Sequence, residues 1–299
     1  MTRDEYRELL KTVETAHGRF TYLDVGEGPV ALFVHGLFMS AFMWTPVIDQ
    51  LAGERRCVAF NLPAHGGSSV PEEQPLTLGA NADMLEGFCD ALGLRAIDLV
   101  ANDTGGAIAQ ALVVRDPGRI STLTLTNCEA NDWMPSKAPL GQLVKQMAAS
   151  GDLAPLLKQF CDDRDNLRES AFSSTLQWPE RPSDDEALAI MEPHQSTLEA
   201  ARRLERFASS LEADDLVALE PRLRALEVPA IAVWGTGDEL FPLSLAHWLR
   251  DTIPGLDEVV EVDGGKLFWP FERPGELVPH LRRHWATASA APPQARAHG

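Results

Sequence analysis

The chain has 299 residues, of which 44% are hydrophobic and 23% charged, and its formal net charge is −18. This apolar content is enough for one sizeable core, whereas the acidic balance argues against a nucleic-acid partner, because phosphate binding needs clustered Lys and Arg. No apolar run approaches the ~20 residues of a membrane span, and the charged start MTRDEYRELL is predicted as a helix rather than a signal peptide.

Strands and helices alternate over the first part of the chain. Short, continuous apolar runs such as VALFV are typical of a sheet that is covered on both faces. The pattern predicts, in order, a strand, a turn and a strand from Phe20, a helix at Met43–Leu51, a strand at Arg56–Phe60, a helix from about Leu78 to Leu92, the strand AIDLVAND, a helix that ends at Asp116, and the strand ISTLTLTNCEA. Such alternation favours right-handed βαβ units, and therefore an α/β fold with a mostly parallel sheet.

The alternation stops at Asn131, and the sequence up to about Leu226 is predicted as helices with proline breaks. It resumes with the strand VPAIAVWGTGDE, a helix at Leu243–Thr252, the strand EVVEVDGG and a closing helix at Pro274–Trp285. We therefore predict a sheet core made of residues 1–130 and 227–285, with a helical cap over residues 131–226. Residues 286–299, which read ATASAAPPQARAHG, are predicted as a disordered tail.

The segment ANDTGG, which begins at Ala101, lies at the junction of a predicted strand and a predicted helix. It fits the pattern small-x-nucleophile-x-small with Asp103 at its centre. In that pattern a sharp turn strains the backbone of the central residue and pushes its side chain out over the carboxyl edge of the sheet. The alternative is that Asp103 caps the following helix, which is a common role for Asp after a strand. The segment alone does not decide between the two.

Three further motifs favour the first interpretation. His35-Gly36-Leu37 directly follows an apolar strand, NLPAHGGSS resembles a DxPGHGxS loop, and WGTGDELFP resembles a WGxxDxxxP loop. With these motifs, nearly the whole chain is similar to the α/β-hydrolase superfamily. The resemblance implies an α/β-hydrolase fold with an inserted cap, and an oxyanion site made by the N–H groups of Leu37 and Thr104. The sharp turn around Asp103 corresponds to the nucleophile elbow of this superfamily. An aspartate at the elbow resembles the haloalkane dehalogenase and epoxide hydrolase branch, in which the carboxylate attacks carbon and a His-activated water hydrolyses the resulting ester.

The loop in which that superfamily keeps its histidine departs from the pattern. It reads GGKLFWPFERP from Gly264, so Leu267 takes the histidine position in a gapless alignment and Lys266 takes it after a one-residue shift. Lys266 has three open roles: a base if its pKa is strongly depressed, an ion pair with Asp103, or a side chain that points to solvent. Among the histidines, His194 in the cap is the one expected to be able to reach the site from above.

Two acids and several apolar side chains complete the expected site. Asp238 lies in the usual acid loop, where capping a turn is its alternative role, and Glu129 matches an alternative acid position of the dehalogenases. Haloalkane dehalogenases resemble each other in a Trp that binds the halide directly after the nucleophile, and here that residue is Thr104. Epoxide hydrolases use tyrosines of the cap to protonate the epoxide, whereas both tyrosines of this chain, Tyr6 and Tyr22, precede the sheet core. The usual halide-binding and epoxide-protonating groups are therefore missing. The residues expected to contact substrate are His35, Phe38, Trp133, Trp178, His194, Leu267 and Phe268, with core packing as the alternative for those in the cap.

These features leave three functions open. The first is a hydrolase that uses Asp103 and a non-histidine base on a small, largely apolar substrate. The second is a lyase, isomerase, dehydratase or cyclase in which Asp103 is a general acid or base, and the third is a binding protein without catalysis. The four cysteines have neither CxxC nor metal-ligand spacing, so we expect a cytoplasmic protein without metal or cofactor. Its expected partner is a small molecule, with no nucleic acid and no membrane, and the sequence leaves open whether the protein is a monomer or a homodimer.

Overall fold

The computed structural model describes residues 1–290. One sheet runs through it, built from β1 Lys11–Thr15, β2 Gly18–Val25, β3 Val30–Val34, β4 Arg56–Phe60, β5 Ile97–Asn102, β6 Ile120–Thr126, β7 Ala230–Gly235 and β8 Leu256–Val262. The strand order is β1-β2-β4-β3-β5-β6-β7-β8. The pairs β1–β2 and β2–β4 are antiparallel and the remaining pairs are parallel. The predicted α/β fold with a mostly parallel sheet is therefore confirmed.

The edge strand β1 is the element that the sequence pattern does not predict. Its five residues are all exposed or half-buried, because it lies at the margin of the sheet beside β2. The central strands β5 and β7, by contrast, are buried along their whole length. Continuous apolar runs reveal such doubly covered strands, whereas an edge strand carries little apolar signal.

Helices flank the sheet and form the segment between β6 and β7. Their bounds are α1 Arg3–Leu9, α2 Thr45–Leu51, α3 Leu78–Ala91, α4 Thr104–Val113, α5 Pro139–Ser150, α6 Leu153–Asp162, α7 Arg164–Leu167, α8 Ser173–Thr175, α9 Asp184–Gln195, α10 Leu198–Ser209, α11 Ala213–Val217, α12 Glu220–Leu223, α13 Leu243–Thr252, α14 Trp269–Glu272 and α15 Pro274–Ala290. A π-helical turn at Arg168–Phe172 joins α7 to α8. Helices α5 to α12 lie within the span predicted as the cap, and this helical segment between β6 and β7 is called the cap below.

The last helix is longer than the sequence predicts. Because α15 continues to Ala290, the first five residues of the predicted tail are helical, and the predicted boundary at residue 286 is wrong. The rest of that tail, residues 291–299, lies outside the described residues. Over residues 1–290, no helix has both the length and the apolar character needed to cross a membrane.

Four strands bring the candidate residues to one edge of the sheet. The parallel strands β3, β5, β6 and β7 all end at this edge, and the chain then continues to Leu37, Asp103, Glu129 and Asp238 respectively. The chain connectivity changes direction between the adjacent strands β3 and β5. Crevices at such a switch point are the usual ligand sites of open α/β sheets.

Candidate active site

The turn between β5 and α4 holds Asp103 in a strained conformation. Its φ is 52° and its ψ is −136°, a region that L-residues rarely adopt. The turn is fixed by hydrogen bonds from Asp103 N to the Asn127 carbonyl at 2.8 Å and from Gly106 N to the Asp103 carbonyl at 2.7 Å. The Asp103 side chain makes no capping hydrogen bond of the usual kind to α4. The geometry is thus that of a nucleophile elbow, and the helix-capping alternative is wrong.

Two glycines allow the elbow to sit this close to its neighbours. A Cβ on Gly36 would collide with the Asp103 carboxyl group, and a Cβ on Gly105 would collide with the carbonyl of His35. Glycine is needed at both positions because backbone and carboxyl group approach each other without room for a side chain. The Asp103 side chain therefore lies against the loop that follows β3.

The carboxyl group of Asp103 is buried beside the backbone N–H groups of Leu37 and Thr104, the two expected oxyanion donors. Burial raises its pKa well above the ordinary value of 3.8, and the charges of Glu129 and Asp238 raise it further, while the two N–H groups act in the opposite direction. The two N–H groups thus lie on the Asp103 side of the turn, and their role as oxyanion donors stays a prediction.

Glu129 is the second buried acid at this edge. Its Oε1 accepts a hydrogen bond from the Thr104 hydroxyl at 2.9 Å, whereas its Oε2 is buried without a partner among the described residues. Burial raises the pKa of Glu129 to about 7. Glu129 therefore has one oxygen free for a ligand.

Asp238 is the third acid, and an asparagine holds it in place. Its Oδ2 accepts from Asn127 Nδ2 at 2.9 Å and its Oδ1 accepts from Leu240 N at 2.8 Å. Asn127 Oδ1 in turn accepts from Gly235 N at 2.7 Å and from Trp269 Nε1 at 2.9 Å. Burial raises the pKa of Asp238 to about 7, although these hydrogen bonds oppose the rise. Asp238 is thus part of a buried polar network rather than a simple turn cap.

A cavity of about 520 Å³ opens above the acids, between the sheet edge and the cap. Its polar floor includes Asp103, Thr104 and Glu129, and its walls are mainly aliphatic and aromatic. The apolar lining comes from Leu37, Phe38, Met39, Pro135, Leu140, Leu143, Val144, Met147, Leu153, Leu156, Leu157, Phe160, Leu167, Ala171, Phe172, Met191, Leu211, Leu240, Phe241, Leu267 and Phe268. Over residues 1–290, the lining contains no Lys, Arg or His. A concave, mostly apolar site with a few polar groups is typical of small-molecule binding.

The sequence pattern of the family described as the alpha/beta hydrolase fold matches residues 29–270. The chain belongs to the α/β-hydrolase family. It is a hydrolase-like member, since its curated relatives include a 2-hydroxymuconate semialdehyde hydrolase of Pseudomonas sp. strain CF600, which is 28% identical over 249 residues and matched over 82% of this chain and 83% of the relative. A haloalkane dehalogenase of Mesorhizobium japonicum is 36% identical over 101 residues, which is 33% of this chain and 32% of that protein.

Solved structures give the same fold for this α/β-hydrolase. A haloalkane dehalogenase from Bradyrhizobium elkani superposes with a TM-score of 0.79 at 20% identity, covering 95% of this chain and 99% of the other. An alpha/beta hydrolase fold protein from Burkholderia ambifaria also has a TM-score of 0.79, at 23% identity, and covers 91% of this chain and 97% of the other. At these identities the similarity establishes the fold.

Lys266 does not take the place of the missing histidine in this α/β-hydrolase. Its ammonium group donates to the Ser173 carbonyl in the cap at 2.6 Å, and it does not line the cavity. The next residue that contacts the cap is Phe268, whose N–H donates to the Thr175 carbonyl at 3.0 Å. Both the base and the ion-pair interpretation of Lys266 are therefore wrong, and the side chain ties the core to the cap instead.

Replacing Lys266 by Met is expected to loosen the cap without touching the acids. Loss of one charge-assisted hydrogen bond at a half-buried position corresponds to about 1 kcal/mol, so amides near Ser173 should exchange about fivefold faster. Hydrogen exchange followed by mass spectrometry measures this, with Lys145→Met, an exposed cap lysine, as the matched control. Equal protection of the 168–175 segment in both variants would contradict the role of Lys266 as a tie.

Two predicted histidine contacts are also wrong. His194 is buried outside the cavity lining, where its Nδ1 accepts from Gly66 N at 3.2 Å and its Nε2 lies 3.2 Å from the Phe38 carbonyl. His35 is buried with its Nδ1 2.8 Å from the Gly36 carbonyl and its Nε2 accepting from Leu62 N at 3.1 Å. Burial lowers the pKa of His35 to about 3 and that of His194 to about 4. Both rings are neutral parts of the framework that holds the Leu37 loop.

The two tryptophans expected in the substrate cleft lie elsewhere. Trp133 Nε1 donates to the Leu240 carbonyl at 2.8 Å, and the Trp178 ring stacks on the Arg181 guanidinium at 3.6 Å. Neither lines the cavity. Phe38, Leu267 and Phe268 do line it, so these three predicted contacts are brought together with the acids.

Asn127 and Gln195 are the polar residues that sequence reasoning missed. Gln195 lines the cavity, and its Nε2 donates to the Phe38 carbonyl at 3.2 Å while its Oε1 is buried without a partner among the described residues. Two facing oxygens would repel each other, so the amide nitrogen faces the Phe38 carbonyl and the oxygen is left as the free acceptor. Asn127 had a weak signal, because it lies directly after β6 and two residues before Glu129.

Proposed function

We propose that this α/β-hydrolase is an enzyme in which Asp103 transfers a proton, as general acid or base, to or from a small, largely apolar substrate. The observation that carries the proposal is that three buried carboxyl groups, Asp103, Glu129 and Asp238, lie at one edge of the sheet, and that the described cavity lining, which includes the first two, has no histidine or cation. Like-charged groups in an apolar site cannot all be ionised, so the cluster retains protons at neutral pH. A site that stores and releases protons suits a lyase, isomerase, dehydratase or cyclase reaction.

Burial and hydrogen bonding support different roles within the cluster. The backbone N–H groups of Leu37 and Thr104 favour the ionised form of Asp103, whereas Glu129 keeps one oxygen without a donor among the described residues. Groups whose environments differ in this way are suited to act as an acid and base pair. Thr104 directly follows Asp103 in the chain, and its hydroxyl donates a hydrogen bond to Glu129. This hydrogen bond fixes Glu129 relative to the turn that holds Asp103.

A hydrolase with a covalent intermediate is the second candidate. The N–H groups of Leu37 and Thr104 lower the pKa of Asp103, and they would stabilise the carbonyl oxygen of an ester formed there. The names of the relatives, a semialdehyde hydrolase and a haloalkane dehalogenase, also favour hydrolysis. What this candidate lacks, within residues 1–290, is a histidine on the cavity lining to activate water for release of the ester.

Intact mass spectrometry distinguishes the two candidates. After incubation with haloalkanes, epoxides and activated esters, the wild-type protein is expected to carry no adduct on Asp103. For any compound that is converted, Asp103→Asn should lower kcat/KM by at least about 100-fold, because it removes the proton-transfer group. The exposed Asp214→Asn serves as the control with the same chemical change and should keep full activity.

Each other outcome has a defined meaning. A stable mass increase on Asp103 would contradict proton transfer and support the covalent candidate. Conversion that persists in Asp103→Asn would exclude Asp103 from the chemistry in both candidates. Binding without conversion, unchanged in Asp103→Asn, would support a non-catalytic binding protein.

A further inference from the structure

We propose that the cavity binds a lipophilic amine in its protonated form, with the ammonium group on the acidic floor and the apolar part against the cap. The proposal names the substrate class of the candidate active site and rests on the proposed function only in taking Asp103 and Glu129 as the floor. It is carried by the kinds of polar atom that the cavity leaves unpartnered.

The buried side-chain atoms that the described cavity lining leaves without a hydrogen-bond partner are acceptors. Glu129 Oε2 and Gln195 Oε1 are buried on its lining without a hydrogen-bond donor among the described residues. Glu129 is 2% exposed and Gln195 is 1% exposed, so neither oxygen is compensated by bulk water. An unpaired buried acceptor costs about 1–3 kcal/mol, which a ligand that donates hydrogen bonds would recover. An ammonium group has three donors and no acceptor.

The donors beside the carboxyl groups are already directed at them. The N–H groups of Leu37 and Thr104 stabilise the Asp103 carboxylate, and the Thr104 hydroxyl donates to Glu129. Over residues 1–290, the lining offers no Lys, Arg or His to a carboxylate or a phosphate. A substrate with a negative charge would therefore meet the carboxyl groups without compensation, which strongly disfavours its binding.

Charge at the opening acts in the same direction. Glu169 lines the exposed rim of the cavity, and the whole chain carries a formal charge of −18. Such a field attracts cations and repels anions as they approach. The wall of the cavity is mainly apolar, so the rest of the ligand must be apolar too. Its side chains come from the cap, between Leu140 and Phe172, and from the core, between Leu240 and Phe268.

Binding of the cation should displace a proton. A positive charge beside a carboxyl group lowers the pKa of that group, so the cluster gives up a proton to solvent when the ammonium group arrives. The balance is one ammonium ion bound and one proton released from a carboxyl group, with no bond made or broken in the ligand. Because the pKa of Glu129 is raised to about 7, affinity for the amine should increase from pH 6 to pH 8.

The test compares three ligands that share one apolar part: 4-phenylbutylamine, 4-phenylbutanol and 4-phenylbutyrate. Isothermal titration calorimetry on the full chain at pH 8 should show that the amine binds at least about tenfold more tightly than the alcohol, and the carboxylate more weakly than the alcohol. At pH 7, the heats in two buffers of different ionisation enthalpy should report proton release with the amine and none with the alcohol.

Variants connect the preference to the floor. Glu129→Gln should reduce the amine-to-alcohol ratio by about tenfold while alcohol binding persists, which also shows that the variant is folded. Glu261→Gln removes an exposed carboxylate on β8 and should leave the ratio unchanged. Equal affinity for amine and alcohol, tighter binding of the carboxylate, or no amine binding at all would overturn the proposal.

Failure here is distinguishable from failure of the proposed function. If the amine shows no preference but Asp103 remains free of adducts and necessary for conversion, the substrate class is wrong and proton transfer stands. If Asp103 forms a stable ester while the amine preference holds, the cation site stands and the proposed chemistry fails.

Discussion

Glu129→Gln is expected to stabilise the protein at pH 8 by about 2 kcal/mol and to have almost no effect at pH 4.5. Burial raises the pKa of Glu129 from 4.5 in the unfolded chain to about 7 in the folded one. The folded state therefore holds this proton more tightly than the unfolded state, so the free energy of unfolding falls as the pH rises from 4.5 to 7. At about 1.4 kcal/mol per pH unit the full loss is about 3 kcal/mol, of which adjustment of the neighbouring acids recovers part.

Glutamine keeps the contact that matters at this position. Its amide oxygen accepts the Thr104 hydroxyl as Glu129 Oε1 does, and its amide nitrogen replaces the oxygen that has no partner among the described residues. The free energy of unfolding from urea titrations at pH 4.5, 6, 7 and 8 measures the effect. The exposed Glu261→Gln should change it by less than about 0.5 kcal/mol at each pH. Parallel pH curves for Glu129→Gln and the wild type would contradict a buried carboxyl group with a raised pKa at this position.

The same substitution should also make Asp103 more acidic. The charge of Glu129 is one cause of the raised pKa of Asp103, after burial, and glutamine removes it. Carbon-13 labelling of the aspartate carboxyl groups would follow this directly by NMR. An Asp103 titration that moves to lower pH in Glu129→Gln would show that the two acids share their protons.

Local sequence patterns were sufficient for the elbow and for the sheet. Asp103 is recognisable because its turn needs small neighbours within a few residues, and the buried strands are recognisable from their apolar runs. The polar network around Asn127 is different, because this side chain bonds with Gly235 and Trp269, which lie more than a hundred residues away in the chain. Their pairing depends on strand order, and nothing in the sequence next to Asn127 shows that it also binds Asp238.

The cap contacts were the least predictable part of the site. Lys266 bonds with Ser173, and Gln195 bonds with Phe38, so each pairing depends on how the cap sits on the core. The cap tryptophans lie away from the cavity. Their positions were predicted wrongly because composition does not reveal which face of a segment turns inward. His194 is in the cap as predicted, but its two ring nitrogens are used in the framework around the loops that follow β3 and β4.

Leu267→His is expected to raise the rate of ester hydrolysis far above that of the wild type. Leu267 is buried on the cavity lining, and its carbonyl accepts from Asn102 Nδ2 at 3.0 Å, which fixes the backbone at this point. An imidazole has a volume similar to that of leucine, so the cavity should accept it with little strain. It would add a base that activates water in the cavity whose floor includes Asp103 and Glu129.

General base catalysis contributes about 10²–10⁴-fold, so hydrolysis of p-nitrophenyl butyrate by Leu267→His should exceed that of the wild type by at least about 100-fold. The matched control is Lys266→His, which adds the same side chain one residue earlier, where the native side chain points to Ser173 and away from the cavity. This control should show no gain.

Adding Asp103→Asn to Leu267→His separates two routes to the new activity. The second change should abolish hydrolysis if Asp103 is the nucleophile, because the carboxylate can then no longer displace p-nitrophenolate to form an acyl anhydride at the elbow, and should leave it if the imidazole alone directs water to the substrate. Equal rates for Leu267→His and Lys266→His would mean that position 267 does not face the elbow. In that case the absence of a histidine at position 267 is not what limits hydrolysis by this protein.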